Sequence, residues 1–113
     1  MSSKTLYPEI TIFKVRGYVS AANATQFLEQ LTTAIKTETN SILLVDMKEV
    51  EFMDSAGLMA MIKGFRLAQS LNKRLSICSV NPSVRMVFEL TQLDEVFEIF
   101  ENRDAFEAAL AVN

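Results

Sequence analysis

Histidine is absent from the 113 residues, so no Ser-His-Asp or Cys-His relay can be built, and the His-bearing zinc sites that dominate metalloenzymes are out of reach. Cysteine occurs once, at Cys78, which excludes an internal disulfide or a Cys cluster and fits a reducing compartment; cytoplasm is the expected location. No stretch approaches the roughly 20 consecutive apolar residues of a membrane span, and Met1-Ser2-Ser3-Lys4 leads into a segment with proline and glutamate rather than the apolar run of a signal peptide. Basic runs do not exceed Lys73-Arg74, and 11 basic residues against 14 acidic ones give a net charge of −3. Such a balance leaves no electrostatic footprint for nucleic acid or an anionic membrane surface. A protein partner or a small ligand is the expected class. There is no Gly/Ser linker, low-complexity tract or internal repeat, and Pro8 and Pro82 punctuate the chain rather than divide it.

What remains is a chain 50% hydrophobic and 22% charged, long enough to bury about two-thirds of its unfolded surface without disulfide or metal staples. One domain is expected over residues 1–113, with its core at about 5–112. Ile10 to Arg16 is rich in β-branched and aromatic residues and predicts a strand stopping at Gly17. Phe27, Leu28, Leu31, Ala34 and Ile35 recur at helical spacing within Ala22–Thr37, with Ser20 or Asn23 available as N-cap. Ser41 to Met47 is an almost unbroken apolar run, the pattern of a central strand covered on both faces. Lys48 to Asp54 reads as a polar connection, followed by a second helix from Ser55 to Leu71 with Leu58, Met61, Ile62, Phe65 and Ala68 on one side. Arg74 to Val80 alternates as a third strand. Asn81-Pro82 supplies a cap and a first-turn proline for a third helix carrying Val84, Val87, Phe88 and Leu90. Val96 to Phe100 predicts a short strand, and Asn102 caps a last helix with Phe106, Ala109 and Leu110 inward. Alternating strands and helices imply an α/β fold, expected as a four- to five-stranded mixed sheet with four helices.

The chemistry-bearing segment is Phe52-Met53-Asp54-Ser55-Ala56-Gly57-Leu58, where the chain turns into the second helix. Ser55 is placed as an N-cap at the positive end of the helix dipole. A phosphate on its hydroxyl would add about −1.5 to −2 charge beside Asp54, with Glu49 and Glu51 nearby in sequence, and so change the local surface potential. A plain capping serine explains the position as well. Gly57 and Gly64, seven residues apart, can permit close backbone approach. Met59 falls with Ser55, Lys63, Arg66 and Ser70 on the polar side of the helix; an adaptable methionine there suits a protein-binding patch.

Asp54-Ser55-Ala56-Gly57-Leu58, preceded by the apolar strand Ile42–Met47, resembles the signature of the bacterial anti-sigma factor antagonist family, whose fold is the STAS domain. The similarity runs from the strand near Ile10 to the helix near Leu110, including Gly17 and the Asn81-Pro82 turn. The resemblance implies phosphorylation of Ser55 by a partner anti-sigma factor that is itself a serine protein kinase. The unmodified form would bind that kinase and free a sigma factor, the phosphorylated form would let go, and a PP2C-type phosphatase would reverse the modification. It also implies Asp54, Ala56, Met59, Ser20 and Asn23 as partner contacts, no cofactor or metal, and no catalysis by the chain itself. Family members often carry an acid shortly after the glycine preceding the first helix, whereas this chain reads Gly17-Tyr18-Val19-Ser20-Ala21-Ala22-Asn23.

Two other readings stand beside it. Asp46, Glu49, Glu51 and Asp54, four acids in nine residues, invite a receiver-like magnesium-binding phosphoacceptor domain, although Arg16-Gly17-Tyr18 stands where a receiver has its acidic pair. A STAS scaffold in which Ser55 is never modified is the second.

Overall fold

A computed structural model describes residues 9–112. Four strands and four helices alternate: β1 (Ile10–Val19), α1 (Ala24–Thr37), β2 (Ile42–Met53), α2 (Ser55–Ser70), β3 (Arg74–Cys78), α3 (Pro82–Leu90), a 3₁₀ turn at Leu93–Glu95, β4 (Glu98–Phe100) and α4 (Arg103–Val112). The sheet has the order β1-β2-β3-β4, and every pairing is parallel. Among the described residues this differs from the mixed sheet expected from sequence: each pair of successive strands is joined through a helix, and that crossover returns the chain in the same direction.

The two faces of β2 explain its unbroken apolar run. Leu43 and Val45 enter a core with Phe27, Leu31 and Ile35 of α1, Leu58 and Met61 of α2, and Val84 and Phe88 of α3. Ile42 and Leu44 face the other way, against Cys78 of β3 and Phe106 of α4. Alternate side chains of one strand thus serve both layers. β3, although its sequence alternates, is buried from Leu75 to Cys78 because α4 covers its second face. Its one polar member, Ser76, donates through Oγ to Glu98 Oε1 at 2.7 Å, and Arg74 forks onto both Glu98 oxygens at 2.7 and 2.9 Å. Burial of Cys78 pushes its thiol pKa upward, so it is held as the unreactive thiol.

β1 and β2 both continue past the segments assigned from sequence. β1 passes through Gly17, which adopts φ +78° with open space where a Cβ would stand; backbone conformation, not crowding, calls for glycine there. β2 advances three positions, from Asp46 to Glu49, while β1 advances two, from Lys14 to Arg16, and a second irregularity lets Tyr18 pair with Phe52 directly after Gly17 pairs with Val50. Each bulge inserts one residue into β2. The stretch read as a polar connection, Lys48 to Asp54, is mostly this extension, and it delivers the chain to the first turn of α2.

Long-range caps fix the helices. Lys73 Nζ donates to the carbonyls of Ile35 and Glu38 at the C-terminus of α1, where a cation also suits the dipole. Lys73→Met keeps the stem and removes both bonds. It is expected to cost about 1–2 kcal/mol in urea denaturation, and an unchanged midpoint would refute this capping role. Asn81 Oδ1 accepts from Val84 N at 2.8 Å while its Nδ2 donates to Val50 O at 2.8 Å, tying α3 to the β2 extension. Asn102 Oδ1 accepts from Ala105 N at 2.8 Å, as its sequence position implied. Ala109, read as inward, is exposed; Leu90 is exposed too, at the end of a nine-residue helix whose buried residues are Val84 and Phe88.

Candidate functional site

The extension of β1 and β2 brings three segments to one end of the sheet: the Ser20–Asn23 loop, the end of β2 and the first turn of α2. Asp54, not Ser55, is the N-cap of α2. Its Oδ1 accepts from Ala56 N at 2.9 Å and Gly57 N at 3.1 Å, and its Oδ2 accepts from Ala21 N at 3.1 Å. The backbone N–H of Asp54 donates to Val19 O at 3.1 Å. One carboxylate therefore starts the helix and clasps the preceding loop. A charged acceptor makes stronger bonds to these amides than a hydroxyl would, and this displaces Ser55 from the expected cap to the first helical residue, exposed to solvent.

The amide of Gly57 leads the causes that hold the Asp54 carboxyl below its ordinary pKa, with the Ala21 and Ala56 amides adding to it against an opposing effect of burial. Glu98 is lowered chiefly by its hydrogen bond from Arg74, again against burial, with Ser76 assisting. A carboxyl lowered in the folded state gives its full stabilisation above the unfolded pKa and loses it as pH falls through the folded one. Stability is thus expected to decline into the acid range below the ordinary carboxylate values. Asp54→Asn and Glu98→Gln should each flatten part of that decline in denaturation curves taken from pH 7 to pH 3. An Asp54→Asn curve parallel to wild type at every pH would contradict the assignment.

Asn23 occupies the N-cap position of α1 but does not cap it through its side chain. Its Oδ1 accepts from Ser20 N at 2.9 Å and its Nδ2 donates to Tyr18 O at 2.7 Å, so it braces the loop internally. Ser20 is half-buried and offers that backbone amide. Ala56 is half-buried with its N–H spent on Asp54, while Met59, one turn beyond Ser55, is 50% exposed on the side shared with Lys63, Arg66 and Ser70, as expected. Asp54 and the Ser20–Asn23 loop are thus joined directly. Sequence reasoning missed Tyr18 and Phe52, an aromatic pair with centroids 6.0 Å apart and 61% and 47% exposed. Their signal was the alternation around Val19 and Met53, hidden once Lys48–Asp54 was taken as a connection.

The four acids of the magnesium reading do not gather. Asp46 Oδ1 accepts from Lys48 N at 3.0 Å, Glu49 pairs loosely with Arg16 at 3.7 Å, and Asp54 is turned to the amides. Among the described residues no group of three or more His, Cys, Asp or Glu side chains is placed to hold a metal ion.

The STAS domain family model matches residues 2–106. The chain belongs to the STAS domain family. Two curated relatives are an anti-sigma-B factor antagonist of Listeria monocytogenes, 29% identical over 80% of this chain and 77% of its own length, and an anti-sigma F factor antagonist of Paenibacillus polymyxa, 23% identical over 82% and 80%. Among solved structures, an anti-sigma factor antagonist from Mycobacterium paratuberculosis superposes with TM-score 0.79 at 21% identity over 96% of this chain and 93% of its own. The phosphorylated form of the Bacillus cell fate determinant SpoIIAA gives 0.65 at 18% identity over 94% and 96%. The STAS domain of a Vibrio cholerae SulP transporter gives 0.72 at 22% over 95% and 85%. Regulators and a transporter domain share this fold, so the fold alone does not assign the function. Among the described residues no helix is long and apolar enough to cross a membrane.

Proposed function

We propose that this STAS domain is an anti-sigma factor antagonist whose protein binding is gated by phosphorylation of Ser55. In this reading the unmodified chain docks on a cytoplasmic anti-sigma factor that is also a serine protein kinase, a sigma factor is released, and a PP2C-type phosphatase returns the phosphorylated chain to its unmodified form. Nucleotide and chemistry belong to the partners; this chain contributes a surface.

One observation carries the reading: Ser55 is exposed at the first position of α2 while its neighbour Asp54 has taken over the capping. The serine hydroxyl is released from the structural duty that would otherwise explain it. The cap also dictates what a phosphate would do. Ala56 and Gly57 already donate to Asp54, so a phosphate cannot take these amides without breaking the cap. It would instead stand in solvent beside a carboxylate kept ionised, facing the Met59 side of the helix, where it raises the negative potential of the docking face. Asp54, Ala56, Met59, Ser20 and Asn23 are the proposed contacts around it.

Incubation with the cognate kinase and ATP, followed by mass spectrometric mapping, should place a single phosphate on Ser55. Phosphate on another residue, or none, would remove the switch and leave the unmodified scaffold as the better description.

A further inference from the structure

The fold sorts the sulfur atoms of the described residues into two groups. Met47, Met53, Met61 and Cys78 are buried. Burial also raises the pKa of the Cys78 thiol, so neither access nor thiolate character opens it to an oxidant. Met59 and Met86 are 50% and 57% exposed. The accessible sulfur among the described residues is therefore thioether sulfur, at two positions with different surroundings. Met86 lies within α3, whereas Met59 lies in α2, one turn after Ser55 and on the side shared with Lys63, Arg66 and Ser70.

We propose that Met59 is an oxidative modification site, whose conversion to the sulfoxide by hydrogen peroxide undocks the partner kinase without any change at Ser55. The proposal rests on the reading of this face as the kinase-docking surface. An S–O bond forms as the peroxide O–O bond breaks, and the departing hydroxide takes the proton of the new S–OH group, leaving sulfoxide and water; sulfur gives up two electrons and the peroxide accepts them. A methionine serves a docking face through its flexible, polarisable and apolar chain. The sulfoxide is polar and chiral, and its oxygen would be buried without a donor against a surface that had received a thioether. Met61, two positions along, points into the core, and Met53 packs beneath Gly57, so oxidation confined to Met59 alters the surface and leaves the first turn of α2 in place. Unlike a phosphate on Ser55, the sulfoxide adds no charge, and its effect is not screened by salt.

The test treats the full chain with hydrogen peroxide, maps it by peptide mass spectrometry and titrates it with the cognate anti-sigma factor kinase. Sulfoxide is expected at Met59 and Met86 and not at Met47, Met53 or Met61 while the chain is folded. The oxidised chain should bind roughly tenfold more weakly, the scale of a lost interface anchor, and equally so at about 0.1 M and about 1 M salt. Met59→Leu should bind as wild type before oxidation and keep that affinity after it, whereas Met86→Leu should weaken on oxidation as wild type does. Methionine sulfoxide reductases acting on both epimers should restore wild-type binding. Resistance of Met59 to peroxide while Met86 reacts, unchanged binding of the oxidised chain, or an oxidised Met59→Leu that weakens like wild type overturns the proposal and leaves the Ser55 switch standing. Equal affinities of Ser55→Ala and Ser55→Asp, with the Met59 dependence intact, strike the switch alone. A reduced chain that does not bind the kinase overturns the docking reading and this proposal together.

Discussion

Ser55→Asp is expected to weaken binding of the partner kinase by roughly 5–150-fold, a coupling of about 1–3 kcal/mol, while Ser55→Ala retains the affinity of the unmodified chain. The direction follows from the cap. With Asp54 already bound to the amides of Ala56, Gly57 and Ala21, a second carboxylate at position 55 cannot take the Ala56 and Gly57 amides without displacing the cap, and it adds negative charge to the docking face. The exposed position means that neither substitution disturbs the core, so both variants should melt with wild type. Because the interaction is between groups near solvent, the gap between the alanine and aspartate forms should narrow as salt rises from about 0.1 M, where the screening length is about 10 Å, towards 1 M, where it is about 3 Å. Titration calorimetry at both salt concentrations reads this directly. Equal affinities for the two variants at low salt would sink the electrostatic switch.

The helices were legible because apolar residues at a helical period meet a flat sheet face, and nothing tertiary overrides that pattern in α1 or α2. The Asn81-Pro82 turn was legible for a local reason, a side-chain acceptor followed by a residue that needs no amide partner. β2 was half-legible. From Ile42 to Met47 both faces are covered and the run declares itself, but beyond it the buried positions are Met47, Val50 and Met53, spaced by three because the bulges add residues. A period of two is what identifies a strand, and the bulges remove it. The cap was ambiguous in principle: aspartate and serine are both favoured N-caps, and only the loop amide at Ala21, 33 positions away in the chain, shows which one the fold uses. That contact also ties the Ser20–Asn23 loop to the residue preceding the serine, a juxtaposition that local sequence could not supply.

Gly57→Ala should be among the most damaging single changes to this chain, although alanine is intrinsically the better helix former by about 1 kcal/mol. A Cβ at position 57 would stand 2.6 Å from Val19 O, 2.8 Å from Met53 Cγ and 3.0 Å from Val19 Cγ1. The first of these atoms is backbone, in the strand end whose carbonyl also accepts from Asp54 N, so no rotamer change relieves the clash and the first turn of α2 must lift away from the sheet. Overpacking of this kind costs about 1–3 kcal/mol, occasionally more, and the upper part of that range is expected after the helix-propensity gain is offset. Gly64→Ala meets Leu31 Cδ2 instead, a side-chain end that can shift, and should cost less. Urea denaturation of the two variants tests the order, and a larger loss for Gly64→Ala would contradict it. The consequence reaches the site, because the turn displaced by Gly57→Ala carries Asp54 and Ser55. At temperatures where that variant is still folded, it should lose partner affinity and show faster amide exchange at Ala56 and Ala21, whereas Gly64→Ala should weaken the fold and leave docking intact.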